Sequence, residues 1–272
     1  MDTLRDEVYR RKLGHRGRGV HDLEQRVGPV IGDIDARLSR RNVVRILELG
    51  PGYGTALLEL RARYGARVEL FGMNRAPRDG NAEILLRNAA DRGLPVDDGA
   101  PDRALPAMAY GDVAAGLPFP DDAFDLVVSQ VAWLYFGDKI GVLREVIRVL
   151  APDGLAKIDA DELAPKLPRE YARLVEIWQD GTLVPFGDYL RRYGLAFGNA
   201  ADGEYLHVEK RRGFGDDLSL RCQIDTQRFY AHWDGVKCVY ACEPGASRTA
   251  DGSRSTDSTT PSATSASISA SS

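Results

Sequence analysis

The stretch Val43-Val-Arg-Ile-Leu-Glu-Leu-Gly-Pro-Gly-Tyr-Gly-Thr55 constrains this chain more than any other. Its first half, rich in Val, Ile and Leu and interrupted only by charge, predicts a buried strand. Gly50, Gly52 and Gly54 then recur at alternate positions, and Ala56-Leu-Leu-Glu-Leu-Arg-Ala-Arg follows with the composition of a helix. Strand, glycine turn and helix together bring backbone close to a ligand and point the positive end of a helix at it. A chain built on that unit is expected to go on alternating strands and helices.

It does so for about a hundred residues. Ala66–Asn74 predicts a second strand, and Asn81–Gly93 a helix closed by a glycine just past its last turn. Residues 94–106, with Pro95, Pro101 and Pro106, predict a loop. Ala107–Asp112 is a short strand, Phe124–Gln130 the fourth, Lys139–Leu150 an amphipathic helix, Ala151–Gly154 a turn and Leu155–Ala160 a fifth strand. This alternation implies right-handed crossovers and an α/β fold with a mainly parallel sheet covered on both faces.

Both flanks differ. Residues 1–42 predict amphipathic helices in two pieces, one using Leu4, Val8 and Leu13, the other Val20, Leu23, Val27, Val30, Ile31, Ile34 and Leu38. Gly14–Gly19 separates them. Arg10, Arg11, Lys12, His15, Arg16 and Arg18 make this the most basic part of the chain: a solvated helix face beside a flexible joint, or a mobile lid that meets an anionic group. Beyond about residue 165, Glu170–Trp178 and Gly187–Tyr193 predict helices. Glu204–Arg211, Leu218–Ile224, Gln227–Trp233 and Val236–Cys242 predict strands, the last two joined by the hairpin pair Asp234-Gly235. An antiparallel C-terminal edge on the parallel sheet is expected. Residues 246–272, almost wholly Ser, Thr, Ala, Gly and Asp, hold too little apolar surface to order. The expected organisation is a helical cap or lid over 1–42, a binding domain over 43–245 with a cap insertion at 165–200, and a disordered tail over 246–272.

A net charge of −4 gives no overall pull toward nucleic acid or anionic membrane. The N-terminal sequence lacks the layout of a signal peptide, and Cys222, Cys238 and Cys242 make a poor disulfide framework. A reduced, cytoplasmic protein is expected.

The glycine spacing separates two kinds of cofactor. Nicotinamide-binding folds need their third glycine at position 55, where this chain has Thr55. Glu48, two positions before Gly50, would repel a pyrophosphate and suits a cationic ligand. Glu48-Leu-Gly-Pro-Gly-Tyr-Gly54 resembles the first motif of class I S-adenosylmethionine-dependent methyltransferases. Gly111-Asp-Val113 with Leu117-Pro-Phe119 resembles their adenine-binding motif. Phe124–Ser129 and Arg144–Gly154 are similar to their fourth strand and the helix and turn that lead to the fifth.

The resemblance implies a Rossmann-like, doubly wound, seven-stranded sheet and S-adenosyl-L-methionine as cofactor. It places Glu48, Gly50, Pro51, Gly52, Tyr53 and Gly54 around the methionine moiety. Asn74 falls at the ribose position, where the family usually has Asp or Glu. Asp112 falls at the exocyclic amine, with Val113 offering backbone, and Ser129 and Gln130 end the fourth strand beside the cofactor. Asp112 also has an ordinary reading as a turn cap.

The acceptor side is less defined. Trp133, Tyr135 and Phe136 follow the fourth strand, where open α/β sheets bind ligands, and either line an acceptor pocket or pack under the next helix. Relatives often carry a histidine there; this chain has none. Candidate bases are His15, His21, Tyr135, Asp159 and Asp161. The Asp159, Asp161 and Glu162 cluster is read as loop, and no metal is expected. The expected activity is methyl transfer to oxygen, nitrogen or carbon of a small molecule, governed by positioning. The alternatives are an RNA or protein methyltransferase docking through the basic segment, and a protein of this fold using the cofactor for other chemistry or binding alone.

Overall fold

Val44–Leu49 forms the central strand, β1, along which only Arg45 is exposed. Its residues divide by parity, as a strand covered on both faces requires. Val44 and Ile46 pack into one core with Leu57, Leu60 and Val68, whereas Leu47 and Leu49 pack into another with Phe124, Val127 and Leu143. The computed structural model describes residues 2–95, 105–133, 136, 139–159, 176–179, 182–185, 188, 190–191, 195–210, 222–224 and 239–242.

β1 pairs in parallel with β2 (Val68–Asn74) on one side, and β3 (Ala107–Tyr110) pairs in parallel beyond β2. On the other side β4 (Phe124–Ser129) and then β5 (Leu150–Asp159) also run parallel. The chain therefore reverses its direction of growth between β1 and β4, which opens a crevice at their carboxyl ends. The predicted turn at Ala151–Gly154 lies inside β5, where Asp153 takes φ 61° and the register with β4 shifts. Two antiparallel strands complete the sheet on that side, β8 (Ala196–Ala200) and β9 (Gly203–Glu209), with β9 antiparallel to β5 and β8 antiparallel to β9. The complete order is β3-β2-β1-β4-β5-β9-β8, seven strands with the antiparallel edge anticipated from sequence.

Three helices cover residues 2–38: α1 (Asp2–Arg16), α2 (Val20–Val27) and α3 (Val30–Leu38). The first break falls at Gly17–Gly19, so the helix continues through Gly14. A second break at Gly28, with φ 72°, followed by Pro29 splits what periodicity joined. Leu23, Val27, Val30, Ile34 and Leu38 belong to the core beneath β1, so α2 and α3 form part of the domain itself. α4 (Thr55–Tyr64) follows the glycine loop, α5 (Ala82–Asp91) is capped by Asn81, and α6 (Lys139–Val149) covers the opposite sheet face. Asn81 Oδ1 accepts from the Ile84 N–H at 3.0 Å, and Gly93 ends that segment with φ 62°.

The C-terminal third departs from expectation. Glu176–Gln179 (β6) is a strand, not the end of a helix, and pairs antiparallel with β7 (Thr182–Pro185). Only Asp180 and Gly181 separate the paired Gln179 and Thr182, the dipeptide most suited to a two-residue hairpin. β10 (Cys222–Ile224) and β11 (Val239–Cys242) join them in a separate sheet of order β10-β11-β6-β7. Asp188, Leu190 and Arg191 are helical, as expected for Gly187–Tyr193. The Gln227–Trp233 strand with its Asp234-Gly235 turn, most of the 165–200 insertion and the 246–272 tail lie outside the described residues.

Candidate active site

The site grows from the end of β1. Gly50 and Gly52 take φ 74° and 58°, and Gly54 φ 69°, values that strain any side chain. Close approach adds a second requirement. A Cβ on Gly50 would lie 2.3 Å from Ala132 Cβ, and one on Gly52 would lie 2.7 Å from the Arg16 carbonyl oxygen. Gly54 closes the loop by donating to Pro51 O at 2.9 Å and accepts from Leu58 to start α4.

Asn74, 3% exposed at the end of β2, holds this loop. Its Oδ1 accepts from the Gly52 N–H at 3.1 Å, while Nδ2 donates to Gly52 O at 2.8 Å and to Asp79 O at 3.3 Å. One N–H and two carbonyls face this side chain, and an amide answers both kinds of partner at once. A carboxylate here would confront two carbonyl oxygens. That is a physical reason for asparagine at a position where the resemblance leads one to expect an acid.

Glu48 and Gln130 meet beneath the loop. Gln130 Nε2 donates to Glu48 Oε1 at 3.0 Å, and both side chains are buried. Glu48 Oε2 and Gln130 Oε1 have no partner among the described residues. Burial lifts the Glu48 carboxyl to about 7, against the opposing effect of the Gln130 hydrogen bond. Two unmatched buried acceptors call for a donor, and a cationic one would also keep Glu48 ionised.

Beside them, Ser129 Oγ donates to Leu49 O at 3.0 Å and ties β4 to β1. Asp159 Oδ2 accepts from the Val131 N–H at 3.0 Å and from Arg26 at 3.2 Å. Val131 itself has φ 58°, an outlier for a β-branched residue, so Asp159 secures a strained turn in the site wall.

These groups surround a cavity of about 550 Å³. Gly50, Pro51, Gly52, Asn74 and Gln130 form its floor, with Met73, Gly111, Asp112 and Val113 at one end and Val131, Ala132 and Phe136 at the other. Asp112 lines the cavity and also caps its own turn, accepting from the Ala114 N–H at 3.0 Å.

The roof comes from α1 and the residues after it. Lys12, Arg16 and Arg18 reach the cavity, joined by Arg75 and Asp79 from the segment after β2. Tyr9 stacks on Tyr53 with ring centres 5.2 Å apart and planes 3° from parallel, and the Arg87 guanidinium lies 4.1 Å over Tyr9. Burial, with help from Asp91, pushes the Tyr9 hydroxyl up to about 12. Arg16 accepts the Tyr53 N–H on its carbonyl at 2.8 Å and pairs its guanidinium with Asp79. Tyr9, Lys12 and Arg16 share one helical face, so the two anchors aim Lys12 at the cavity.

Four of the expected cofactor residues stand outside the cavity wall: Glu48 behind Gln130, Tyr53 against Tyr9, and Gly54 and Ser129 in structural hydrogen bonds. Trp133 is 1% exposed and packs edge-on to Phe136 at 6.0 Å, so Phe136 alone of that aromatic pair reaches the wall. Beneath both lies the wholly buried Lys139, which sequence reading missed; its Nζ donates to Trp133 O at 2.6 Å and Phe136 O at 3.2 Å. His21 is exposed on α2, away from the cavity. His15 lies in the last turn of α1 with its side chain outside the described residues, as are Tyr135 and Asp161. Among the described residues no three His, Cys, Asp or Glu side chains gather to hold a metal.

A glycine loop at the switch point of a parallel sheet, a buried acceptor pair and an apolar end at Met73 and Val113 suit a nucleoside cofactor with an ammonium group. S-adenosylmethionine has that form. The model of a methyltransferase domain family matches residues 47–158. Demethylmenaquinone methyltransferase of Thermus thermophilus is 39% identical over 200 residues, covering 72% of this chain and 80% of the relative. Glycine/sarcosine/dimethylglycine N-methyltransferase of Actinopolyspora halophila is 36% identical over 110 residues, 40% of this chain. The chain spans 17% of that relative's length. A methyltransferase structure from Aquifex aeolicus aligns over 66% of this chain and 90% of its own, with 15% identity and a TM-score of 0.42. The chain belongs to the S-adenosylmethionine-dependent methyltransferase family, and its cofactor is S-adenosylmethionine.

Proposed function

We propose that the protein transfers a methyl group to a small-molecule acceptor held between the glycine loop and α1. The observation that carries this reading is the cavity of about 550 Å³, roofed by α1 and floored by the loop. A pocket of that size suits a cofactor with a compact acceptor, within the range of small-molecule sites. S-adenosylmethionine supplies an activated methyl group when bound.

The chain's own residues supply position. Gly50 and Gly52 offer backbone, the Gln130 acceptor awaits the ammonium with the Glu48 carboxyl behind it, and Asp112 with Val113 stands at the adenosine end. The strained Val131 turn and Phe136 form the wall toward the acceptor. The described lining contains no histidine, and Asp159 is committed to Val131 and Arg26. Orientation and exclusion of water are therefore what this wall provides, and such positioning can contribute several kcal/mol. The names of relatives that act on glycine derivatives and on a menaquinone precursor support a small acceptor.

Calorimetry with S-adenosylmethionine and S-adenosylhomocysteine, followed by transfer of labelled methyl to a small-molecule panel, tests the reading. One-to-one binding of both and labelling of an acceptor are expected. If neither compound binds, the reading fails.

A further inference from the structure

We infer that Glu48 and Gln130 form a proton-coupled switch under the cofactor's ammonium. An ionised Glu48 turns the Gln130 oxygen toward the cavity to receive that ammonium, and a protonated Glu48 turns the amide nitrogen there instead. Cofactor binding then releases a proton. The inference rests on the methyl-transfer reading above and concerns the regulation of the same site.

The two side chains share one hydrogen bond and leave two acceptors over. Gln130, 6% exposed, lines the cavity, and Glu48, 1% exposed, lies behind it. Gln130 Nε2 donates to Glu48 Oε1 at 3.0 Å, which leaves Gln130 Oε1 and Glu48 Oε2 without partners among the described residues. An ionised carboxylate only accepts, so it holds the amide by its nitrogen and sends the amide oxygen elsewhere. A protonated carboxyl donates to the amide oxygen, and half a turn about the terminal torsion brings that about. The NH2 group then faces the cavity, donor against donor for an arriving ammonium.

The surroundings favour the proton while the site is empty. Glu48 shares its sheet face with Val44 and Ile46, which pack with α2 and α4, and Gly72 of β2 and Val128 of β4 flank it. The charged groups on that side have other partners. Arg26 pairs with Asp159 and Asp202, Lys157 with Asp33, and Arg16 with Asp79. Glu59 accepts from the Val20 N–H and pairs with Arg92, and Arg18 lines the cavity with Gln130. Burial raises the Glu48 carboxyl to about 7, and the Gln130 hydrogen bond opposes it. An ammonium on the Gln130 oxygen reverses the balance, because its charge favours the carboxylate. The carboxyl O–H bond breaks and its proton passes to the buffer.

Calorimetric titration of S-adenosylhomocysteine into the full chain, in buffers of differing ionisation enthalpy, counts the protons exchanged. With the free carboxyl at about 7, linkage predicts release of about one proton at pH 6, almost none at pH 8, and roughly tenfold weaker binding at pH 6. Glu48→Gln is expected to release none and to bind alike at both pH values. Gln130→Met keeps Glu48 but removes the relay, and is expected to bind weakly and without the pH dependence. Unfolding curves at both pH values accompany each titration. Equal affinity without proton release in the unaltered protein overturns the inference, whatever the variants do. So does the full pH dependence in folded Glu48→Gln, which assigns the proton to another group, or in folded Gln130→Met, which sets the ammonium directly under the Glu48 charge. S-adenosylhomocysteine that binds at neither pH strikes instead at the methyl-transfer reading.

Discussion

The floor and the roof of the cavity are built by opposite means. The floor is interlocked, Asn74 holding Gly52 by both backbone groups and Gln130 holding Glu48, and in the wall beside it Asp159 holds Val131. The roof is one helix held by an aromatic stack, a backbone hydrogen bond and a partly exposed ion pair. A preorganised floor can specify a cofactor before it arrives, while a lightly held roof can admit it and then meet the acceptor. Substitutions that cost global stability in the floor should cost only local order in the roof.

The largest effect should come from Glu48. Below pH 4.5, the ordinary value of such a carboxyl, folded and unfolded chains both hold the proton. Between there and about 7 the folded chain keeps a proton that the unfolded chain has released, so stability falls as pH rises. The full cost above 7 is on the order of 3 kcal/mol. Glu48→Gln should remove that slope, making the variant more stable than the parent at pH 8 and no different at pH 4, while weakening cofactor binding. Urea unfolding at the two pH values reads this; parallel losses of stability with pH in both proteins would contradict a buried, proton-holding carboxyl.

Asn74→Asp comes next. It restores the acid usual in the family, yet it sets a carboxylate against the Gly52 and Asp79 carbonyls. A loss of about 1–3 kcal/mol and roughly tenfold weaker cofactor binding are expected. Tighter binding would show that the ribose contact outweighs the loop contact.

In the roof, Tyr9→Ala should cost about 1 kcal/mol, confined to α1. Hydrogen exchange should lose protection over residues 10–17 while the β1 and β4 amides stay slow. Exchange rising through the whole sheet would merge roof and floor into one unit. Asp79→Asn should be smallest, below about 1 kcal/mol, and should make α1 docking less sensitive to salt.

The floor was far more legible than the roof. Alternate glycines after an apolar strand leave few structural options, because each needs a positive φ and a close neighbour. Glu48, Gly50, Gly52 and Asp112 could be placed from that alone and from motif order. The roles of Tyr53 and Asn74 could not, since they depend on α1 and on the Gly80 turn folding back against the loop. The basic cluster was visible, but which cations face the cavity follows from a stack between Tyr9 and Tyr53 that no local pattern announces. β8 escaped notice because Ala-Phe-Gly-Asn-Ala has little strand character. Its Gly198 lies under the Tyr205 ring, where an added Cβ would come within 2.2 Å of the ring carbon Cζ. Residues 176–178 were read as helix because Glu-Ile-Trp carries no alternation strong enough to compete with the preceding charged run.

The attachment of α1 also bears on the order in which the molecule assembles. Arg16 and Asp79 are 63 residues apart, and the stack reaches from Tyr9 past α2, α3 and β1 to Tyr53. A growing chain releases this helix long before its landing surface exists, so α1 must wait for β1, β2 and the glycine loop to form. With few local contacts to reward early docking, it is expected to settle last during folding and to lift away first, an order that hydrogen exchange would read. A helix docked so late is also the element whose lifting would open the cavity with the least loss of folded structure.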